Sequence, residues 1–464
     1  MLLISIMNKK KRPSLLLINP WIYDFAAYDF WAKPLGFLYL SSILKNNGFN
    51  IHYVDCLDLR SPIATVKNSV SPKRKAWGTG KFIKTKVEKP EPLKSIPRKY
   101  SRYGISYEDF EEELNQISTP TAILITSAMT YWYLGVFDAI RITKSKFPNT
   151  PIILGGIYAT ICHSHATLHS GADVVITGPG EKEILKLISS ITGQSISMFL
   201  DHRNLDALPY PAFDLLNNLP YVCIATSRGC PYRCHYCASS QLTPHYYSRS
   251  PKGVADEVEF WSKQYGVSNI AFYDDALLFQ HEQLFVPFIK EILRRKICCN
   301  FHTPNGLHIR SMTEEIAHLM HAAGFKTLRF GLETADAGIM ASLGEKATRK
   351  EFVLVVNWLK KAGFQKKEIG VYLLAGLPGQ TAEAVETSIY FVKDCSARPY
   401  LAEYSPIPGT ALWEKAVEVS SFDLGNEPLF HNNSILPCQW EKLTLDDLAY
   451  LKDLLKSLVV NYLA

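Results

Sequence analysis

Three cysteines lie close together near the middle of the 464-residue chain. Cys230, Cys234 and Cys237 stand at C-x3-C-x2-C spacing, directly after the apolar segment Tyr221 to Ala225. Thiolates at this spacing can converge on one iron–sulfur cluster, and three of them leave a fourth iron without a protein ligand. Zinc is the alternative, but zinc sites usually close with a fourth thiolate or imidazole, for which His235 is the nearby candidate. The spacing therefore favours a cluster with one open iron, an arrangement suited to chemistry.

The cysteine run Cys-Pro-Tyr-Arg-Cys-His-Tyr-Cys resembles the signature of radical S-adenosylmethionine (SAM) enzymes, with Tyr236 at the position where that family keeps an aromatic residue. The resemblance implies a [4Fe-4S] cluster whose open iron is chelated by the amino and carboxylate groups of SAM. It also implies reductive cleavage of SAM to methionine and a 5′-deoxyadenosyl radical. A reductant such as flavodoxin or ferredoxin would supply the electron.

Strand and helix patterns alternate at barrel spacing from Tyr221 onward. The predicted strands are Tyr221 to Ser227, Ile270 to Tyr273, Asn300 to Thr303, Thr327 to Phe330, Ile369 to Leu374 and Leu401 to Tyr404. Polar or glycine-rich loops follow these strands, so a site is expected at their carboxyl ends. The resemblance thus covers residues 215–415 and implies a partial (β/α)6 TIM-like radical SAM barrel.

The loops of this predicted barrel hold candidate SAM-binding residues. By resemblance, Asp274 and Asp275 lie where the family contacts the methionine amino group, and Glu333 where it faces the ribose. The stretch from Gly376 to Gly379 corresponds to the segment near adenine. Carboxylates suit such roles because they accept hydrogen bonds from ammonium and hydroxyl groups. The alternatives are that the aspartates only cap a helix and that the glycines only form a turn.

The first 200 residues also alternate strands with helices, which predicts a parallel sheet. The predicted strands are Ser14 to Asn19, Ile51 to Asp55, Ala122 to Thr126, Pro151 to Leu154 and Asp173 to Thr177. The predicted helices are Pro34 to Asn47, Leu134 to Phe147, one around Cys162 to His169 and one from Glu181. Loops at the carboxyl ends of such strands bind ligands, because glycines admit a ligand to the backbone and helix N-termini offer free N–H groups.

Four pieces of this region occur in an order that resembles the cobalamin-binding domain found before many radical SAM domains. They are Asn19 with its following proline, the helix sequence Pro-Leu-Gly-Phe-Leu-Tyr-Leu, the pair Gly155 and Gly156, and the run from Gly178 to Glu181. The resemblance implies a Rossmann-like cobalamin-binding domain over residues 13–200, with these residues at the cofactor.

Cobalt ligation by histidine is not implied. The Asp-x-His-x-x-Gly motif of the methionine synthase type is absent from the chain. His163, His165 and His169 lie near the expected ligand edge, but loosely spaced histidines in a loop are more often solvated than metal-bound.

A basic insertion at about residues 60–105 interrupts the first sheet pattern. Between Lys67 and Arg102 the sequence has twelve Lys or Arg residues against Glu88 and Glu91, whereas the whole chain has a formal charge of +6. The interleaved aromatic residues are Trp77, Phe82, Tyr100 and Tyr103. Such a segment can contact nucleic acid, cover the cleft and hold an anionic ligand, or simply be solvated. Charge runs are most often solvated, which is the expectation here.

Residues 416–464 are expected to form a C-terminal helical extension. Leucines recur at helical spacing between Leu445 and Leu463, and Cys438 is interpreted as a buried, inert thiol. No stretch approaches the ~20 apolar residues of a membrane span. Basic residues follow the apolar segment Met1 to Met7 instead of preceding it, unlike a signal peptide. Ten mostly scattered cysteines do not make a disulfide framework, so we expect a cytoplasmic protein.

The sequence and its resemblances therefore predict an α/β radical SAM enzyme that uses a [4Fe-4S] cluster, SAM and cobalamin. The expected reaction is methylation of a carbon atom, or a related radical rearrangement, of an unknown substrate. A methylthiotransferase-like enzyme is one alternative, but it needs three N-terminal cysteines, and the first 200 residues contain only Cys56 and Cys162. A nucleic-acid-binding iron–sulfur or zinc protein that uses the insertion is another. Electron transfer is disfavoured because an iron would remain exposed.

Overall fold

The computed structural model describes residues 12–58, 72, 74–196, 201, 203–344, 347–438 and 443–460. Its strands are β1 (Ser14–Asn19), β2 (Ile22–Asp24), β3 (Tyr28–Asp29), β4 (Asn50–Asp55), β5 (Gly80–Lys81), β6 (Lys84–Lys86), β7 (Ser101–Tyr103), β8 (Ala122–Ile125), β9 (Ile152–Leu154), β10 (Val174–Val175), β11 (Val222–Ile224), β12 (Ser227–Arg228), β13 (Tyr247–Ser248), β14 (Asn269–Phe272), β15 (Asn300–His302), β16 (Phe325–Glu333), β17 (Ile369–Ala375) and β18 (Arg398–Glu403).

Its helices are α1 (Leu35–Asn46), α2 (Tyr107–Asn115), α3 (Tyr133–Lys146), α4 (Ile157–Ile161), α5 (His163–His169), α6 (Glu181–Thr192), α7 (Ser239–Leu242), α8 (Pro251–Tyr265), α9 (Phe285–Arg294), α10 (Glu314–Ala323), α11 (Ala337–Ser342), α12 (Arg349–Ala362), α13 (Ala382–Asp394), α14 (Trp413–Val419) and α15 (Leu445–Val460). Among the described residues, no helix is long and apolar enough to cross a bilayer.

The first large sheet has five parallel strands in the order β10-β9-β8-β1-β4. Strand β1 lies between β8 and β4. Its residues 15–18 are fully buried, as expected for a strand covered on both faces. Helices α1 and α6 pack on one face and α3 on the other. The chain runs from β1 to β4 on one side and reaches β8 on the other, so a crevice is expected at the carboxyl ends of β1 and β8.

The second large sheet has six parallel strands in chain order, β11-β14-β15-β16-β17-β18. Aromatic rings fill the layer between these strands and their helices, with the Phe301 and Phe325 centroids 5.2 Å apart. The ends of helix α12 are set by capping residues. Thr348 and Glu351 form a capping box at its start, and Gly363 ends it at φ +108°. The prediction of an α/β fold with parallel sheets is therefore confirmed.

Several predicted strands differ in extent from those observed, and two of the differences have a clear physical reason. The strand predicted from Leu401 begins at Arg398, since Pro399 is tolerated in β18, which lies at the sheet edge. The strand predicted from Asp173 to Thr177 shrinks to β10. There the Asp173 carboxylate accepts a hydrogen bond from the Ile152 amide at 2.8 Å, so a side chain replaces part of the strand pairing.

The described part of the basic insertion is folded. Strands β5, β6 and β7 pair antiparallel with β2, β3 or one another. Phe82, Tyr100 and Tyr103 are buried. The lysines at positions 81, 84, 86, 94 and 99 are exposed, so most charges of the insertion are solvated as expected, although the segment itself is folded and its aromatic residues are buried. Lys67, within the predicted insertion, lies outside the described residues.

The C-terminal extension is helical and reaches both large sheets. Helix α15 packs on α13, where Tyr450 Oη donates to Glu386 Oε1 at 2.9 Å and Leu451 is buried. Before it, the Asn432 side chain donates to the buried Asp24 carboxylate at 2.9 Å. Leu463, at the end of the predicted leucine pattern, lies outside the described residues.

Candidate functional site

A cavity of about 510 Å³ lies where the two large sheets meet. Its first wall consists of the carboxyl ends of β1 and β8, the start of α1 and the loops before α4 and α6. Its second wall consists of the segments that follow β11 and β14, including Arg228, Gly229 and Asp275. The five residues predicted for cobalamin all line it, namely Asn19, Gly155, Gly156, Gly178 and Glu181. The structure thus brings the glycine loops of the first sheet and the loop that enters the cysteine run to one space.

Gly156 is required by close packing at the cavity wall. A Cβ at this position would lie 2.2 Å from the Ser127 carbonyl oxygen, and the residue has φ +100°. The Thr160 hydroxyl donates to Gly156 O at 2.8 Å and accepts from Gly178 N at 3.0 Å. The two glycine loops are therefore fixed to each other through one hydroxyl. Gly155 has no such constraint, since its Cβ would lie 3.9 Å from Ile176 O.

An ion pair crosses the cavity between its two walls. Glu181, at the start of α6, binds Arg228 through Oε1, and the guanidinium carbon of Arg228 lies 5.1 Å from the Tyr39 ring centroid. The second oxygen, Glu181 Oε2, is buried without a hydrogen-bond partner among the described residues. A buried carboxylate oxygen needs a donor. The amide groups around a corrin ring are donors of the right kind, so this wall fits cobalamin.

Histidines do not contribute to the described cavity wall, and neither do cysteines or methionines. Of the three candidates near the expected ligand edge, His165 packs beside Tyr133 and its Nδ1 lies 2.6 Å from Tyr158 Oη. Burial lowers the pKa of His165 to about 4, with a smaller effect from His169. His163 and His169 are not part of the lining either. Cobalamin at this wall would have no imidazole ligand from the described residues.

The three cysteines lie in the segment between β12 and α7 and are partly exposed, with free thiols. Burial raises the pKa of Cys230 to about 11, and the charges of Asp275, Cys237 and Cys234 act in the same direction. Neighbouring thiolates repel one another, and bound iron would offset that repulsion by its positive charge. Among the described residues, no three metal-binding side chains are grouped tightly enough for a single ion. Three thiolates are the donor set of a [4Fe-4S] cluster with one open iron, whereas zinc usually takes a fourth protein ligand.

The cysteine segment is held by its neighbours on several sides. His235 Nδ1 lies 2.7 Å from Ser342 O, which fixes the orientation of the imidazole ring. The Tyr232 ring stacks on His308 with centroids 4.0 Å apart. From the C-terminal side, Leu412 N donates to His235 O at 3.1 Å. The position of the cysteine segment is thus set by contacts with the loops and helices around the second sheet.

The two adjacent aspartates have different environments. Asp274 is buried, and its carboxylate accepts hydrogen bonds from the Thr226 amide and hydroxyl and from the Ser227 hydroxyl, at 2.6–3.0 Å. Asp275 opens to the cavity, where Ser239 donates to it. Surrounding protein raises the pKa of Asp275, and the charge of Asp274 adds to this. Asp274 therefore fastens the strand end, whereas Asp275 is accessible to a ligand.

Tyr236 and Glu333 are brought together, with Tyr236 Oη donating to Glu333 Oε1 at 2.8 Å. Glu333 ends β16 with φ +67°, a left-handed conformation that is costly for a residue with a Cβ and is typical of functional sites. Burial raises the pKa of Tyr236 well above its ordinary value, and the Glu333 charge contributes. Gly376 and Gly379 lie in a turn at φ +92° and φ +74°.

That turn is closed by a residue that the sequence did not single out. Gln380 Oε1 accepts from Gly376 N at 2.9 Å, and Gln380 Nε2 donates to Leu374 O at 2.9 Å. Lys33 and Arg228 were also missed. Arg228 stands two residues before Cys230, and Lys33 directly precedes the Pro-Leu-Gly helix start, so sequence position was the available signal.

Comparison with known proteins gives a family match for most of the second sheet. Residues 224–392 match the Radical SAM superfamily. An uncharacterized methyltransferase, PH0819 of Pyrococcus horikoshii, is 25% identical over 358 residues, which are 71% of this chain and 73% of that protein. Residues 224–392 therefore match a radical SAM domain, which includes the cysteine run that predicted it.

Two solved structures share the fold of nearly the whole chain. The radical SAM methyltransferase TsrM from Kitasatospora setae, solved with cobalamin and a [4Fe-4S] cluster bound, superposes with a TM-score of 0.64 at 16% identity, over 88% of this chain and 76% of that one. The cobalamin-dependent radical SAM enzyme OxsB, solved with aqua-cobalamin and SAM, gives a TM-score of 0.57 at 13% identity, over 92% and 56%. Both likenesses extend well beyond residues 224–392, so they include the first sheet.

Proposed function

We propose that this protein is a cobalamin-dependent radical SAM methyltransferase that acts on an unactivated carbon of its substrate. The observation that carries the proposal is the single cavity between the two large sheets, lined both by the glycine loops and by the residues that lead into the cysteine run. A methyl donor and a radical generator must both reach one substrate carbon, and one shared space satisfies that need. Both solved structures with this fold are named as SAM radical enzymes in which cobalamin was bound.

The finer architecture belongs to the proposal. Residues 13–200 would be the Rossmann-like cobalamin-binding domain, with the insertion at about 60–105. Residues 215–415 would be the partial (β/α)6 TIM-like radical SAM barrel, and 416–464 the C-terminal helical extension. The five-stranded order with its switch between β1 and β8, and the six strands in chain order, support these assignments.

At the barrel, Cys230, Cys234 and Cys237 would hold three irons of the cluster. Asp275 would accept hydrogen bonds from the SAM ammonium group, because its carboxylate faces the cavity while that of Asp274 is occupied. Glu333 would face the ribose hydroxyls.

The remaining SAM-binding contacts are proposed around those groups. Tyr236 would hold the Glu333 carboxylate in place through the observed hydrogen bond. The turn containing Gly376 and Gly379 would pass close to adenine.

At the first sheet, Gly155, Gly156 and Gly178 would let cobalamin approach the backbone. Asn19 would support the same edge, since its Nδ2 donates to Asp55 Oδ1 at 2.7 Å and leaves its carbonyl oxygen for a ligand. Glu181 would accept an amide hydrogen through Oε2.

When bound, the cluster supplies the electron that cleaves SAM and cobalamin supplies the methyl group. The residues of this chain orient the two cofactors and exclude water from the space between them. Apolar side chains such as Leu124, Ile153 and Ile176 line much of the cavity, which favours that exclusion. A flavodoxin or ferredoxin would be the reductant.

The alternatives receive less support. A methylthiotransferase needs a second three-cysteine site near the N-terminus, but the first 200 residues contain only Cys56 and Cys162, and Cys56 is fully buried. A nucleic-acid-binding module that uses the insertion loses its aromatic contacts, since Phe82, Tyr100 and Tyr103 are buried.

The test is anoxic reconstitution with iron and sulfide, followed by optical titration with hydroxocobalamin. We expect about four irons with matching sulfide per chain, a spectral change on cobalamin binding, and an altered electron paramagnetic resonance signal of the reduced cluster when SAM is added. Absence of a cobalamin signal would remove the methyl donor. Absence of both the iron and the SAM response would refute the proposal as a whole.

A further inference from the structure

The charges on the cavity wall do not balance locally. Among the described residues, the charged side chains that line it are Lys33, Glu181, Arg228 and Asp275. Glu181 and Arg228 neutralise each other in an ion pair. Under the proposed function Asp275 faces the SAM ammonium group. Lys33 is then the remaining charge without a counterpart.

Lys33 has no carboxylate partner in the described part of the chain. Its Nζ lies 5.3 Å from the Tyr221 ring centroid, a cation–π contact that leaves the ammonium hydrogens available. Its charge reaches the Asp55 carboxylate, but the two groups form no ion pair within 4.0 Å. Asp55 already accepts from Asn19 Nδ2 and from Leu57 N.

The position of Lys33 is fixed at the junction of the two sheets. Its backbone N–H donates to Tyr273 Oη at 2.9 Å, which ties the residue to the end of β14. Helix α1 begins directly after it, without a side-chain cap and without an acidic residue in its first turn. Leu35, Gly36 and Phe37 of that turn also line the cavity. The helix dipole therefore adds positive potential beside the ammonium group.

We infer that Lys33 and the start of α1 form a subsite for an oxyanion, a phosphate or a carboxylate, within the cavity. The inference rests on the proposed function in that a cofactor occupies the same space. The oxyanion has two sources with the same chemistry. It is either the phosphodiester of the cobalamin nucleotide tail or an anionic group on the substrate, and the two are separated by experiment.

The first arm compares hydroxocobalamin with cobinamide, which lacks the nucleotide tail and its phosphodiester. Both are titrated by calorimetry into the wild-type protein, K33Q and K33R. If the tail is the source, K33Q binds hydroxocobalamin roughly tenfold to hundredfold more weakly, the scale of a charge-assisted hydrogen bond. Cobinamide binding stays unchanged, and K33R lies closer to wild type.

The second arm follows inorganic phosphate by ³¹P relaxation in the presence of the cobalamin-loaded protein. If the substrate is the source, K33Q binds both corrinoids like wild type but loses phosphate binding. K81Q is the matched control, since Lys81 is an exposed lysine of β5 outside the cavity lining. Should K33Q melt at a lower temperature, K33M replaces it, because an unbranched apolar chain keeps the packing on Tyr221.

Equal binding of hydroxocobalamin, cobinamide and phosphate by wild type and K33Q would overturn the inference. Failure of the proposed function looks different: the wild-type protein would then bind neither corrinoid. In that case phosphate binding by wild type, compared with K33Q, still decides whether Lys33 forms an anion subsite.

Discussion

The two walls of the cavity are built by different means. The wall from the first sheet depends on backbone shape, because Gly156 and Gly178 bring the main chain close to the space and a hydroxyl links them. The wall from the second sheet depends on side-chain chemistry, through charged groups such as Arg228 and Asp275, and the three thiols follow it in the next segment of the chain. Added carbon atoms should therefore damage the first wall. Changes of charge or donor type, even at constant volume, should damage the second.

The largest expected effect is at the three cysteines that follow the second wall in the chain. Replacing Cys230, Cys234 or Cys237 by Ala removes an iron ligand, so bound iron and reductive SAM cleavage should fall to background. Iron analysis and 5′-deoxyadenosine formation measure this. Cys298, an exposed cysteine, is the control, and C298A should keep its iron. Full iron content in C234A would contradict the assignment.

The first wall is tested by adding one carbon. In G156A the new Cβ meets the Ser127 backbone at 2.2 Å, so we expect a loss of about 3 kcal/mol in the free energy of unfolding. G155A should lose less than about 0.5 kcal/mol, because its Cβ meets nothing closer than 3.9 Å. Urea unfolding of both variants gives the comparison. Equal stabilities would mean that backbone approach does not shape this wall.

Replacing either of the adjacent aspartates by asparagine removes a charge at nearly constant side-chain volume, which tests the second wall. D274N replaces an acceptor among three donors and should destabilise the fold by about 1–3 kcal/mol. D275N should keep its stability but bind SAM roughly tenfold more weakly, since it loses a charge-assisted hydrogen bond. Unfolding and anoxic SAM titrations separate the two effects.

The pH dependence of SAM binding follows from the Asp275 environment. Burial raises the Asp275 pKa, so its carboxylate is charged only above that raised value. SAM affinity should therefore fall on acidification at a higher pH than for an ordinary aspartate, and D275N should lack this decline. An identical pH profile in both proteins would argue against Asp275 as the ammonium acceptor.

The smallest effect is expected at Tyr236. Y236F keeps the ring but removes the hydrogen bond to Glu333, at a cost of about 1 kcal/mol and hence less than tenfold in SAM affinity. Iron content should stay at the wild-type level, since the change spares all three thiols. Loss of iron in Y236F would show that the tyrosine supports the cluster rather than SAM.

The sequence predicted what depends on short-range patterns. The cysteine spacing, the buried run of β1 and the glycine loops are local features, and the structure has them at the predicted residues. What the sequence missed depends on contacts between distant residues. The pairing of β2 with β7 and the Glu181–Arg228 ion pair join segments far apart in sequence. The division of roles between Asp274 and Asp275 also requires knowledge of which one meets Thr226.

The hydrogen bond from Asn432 to Asp24 spans 408 residues. Asp24 is a buried carboxylate, and it receives this donor only when almost the entire polypeptide has emerged from the ribosome. N-terminal domains generally fold first during synthesis. The Asp24 carboxylate therefore lacks this donor until Asn432 has been synthesised, so the segment around β2 completes its hydrogen bonding long after it is made.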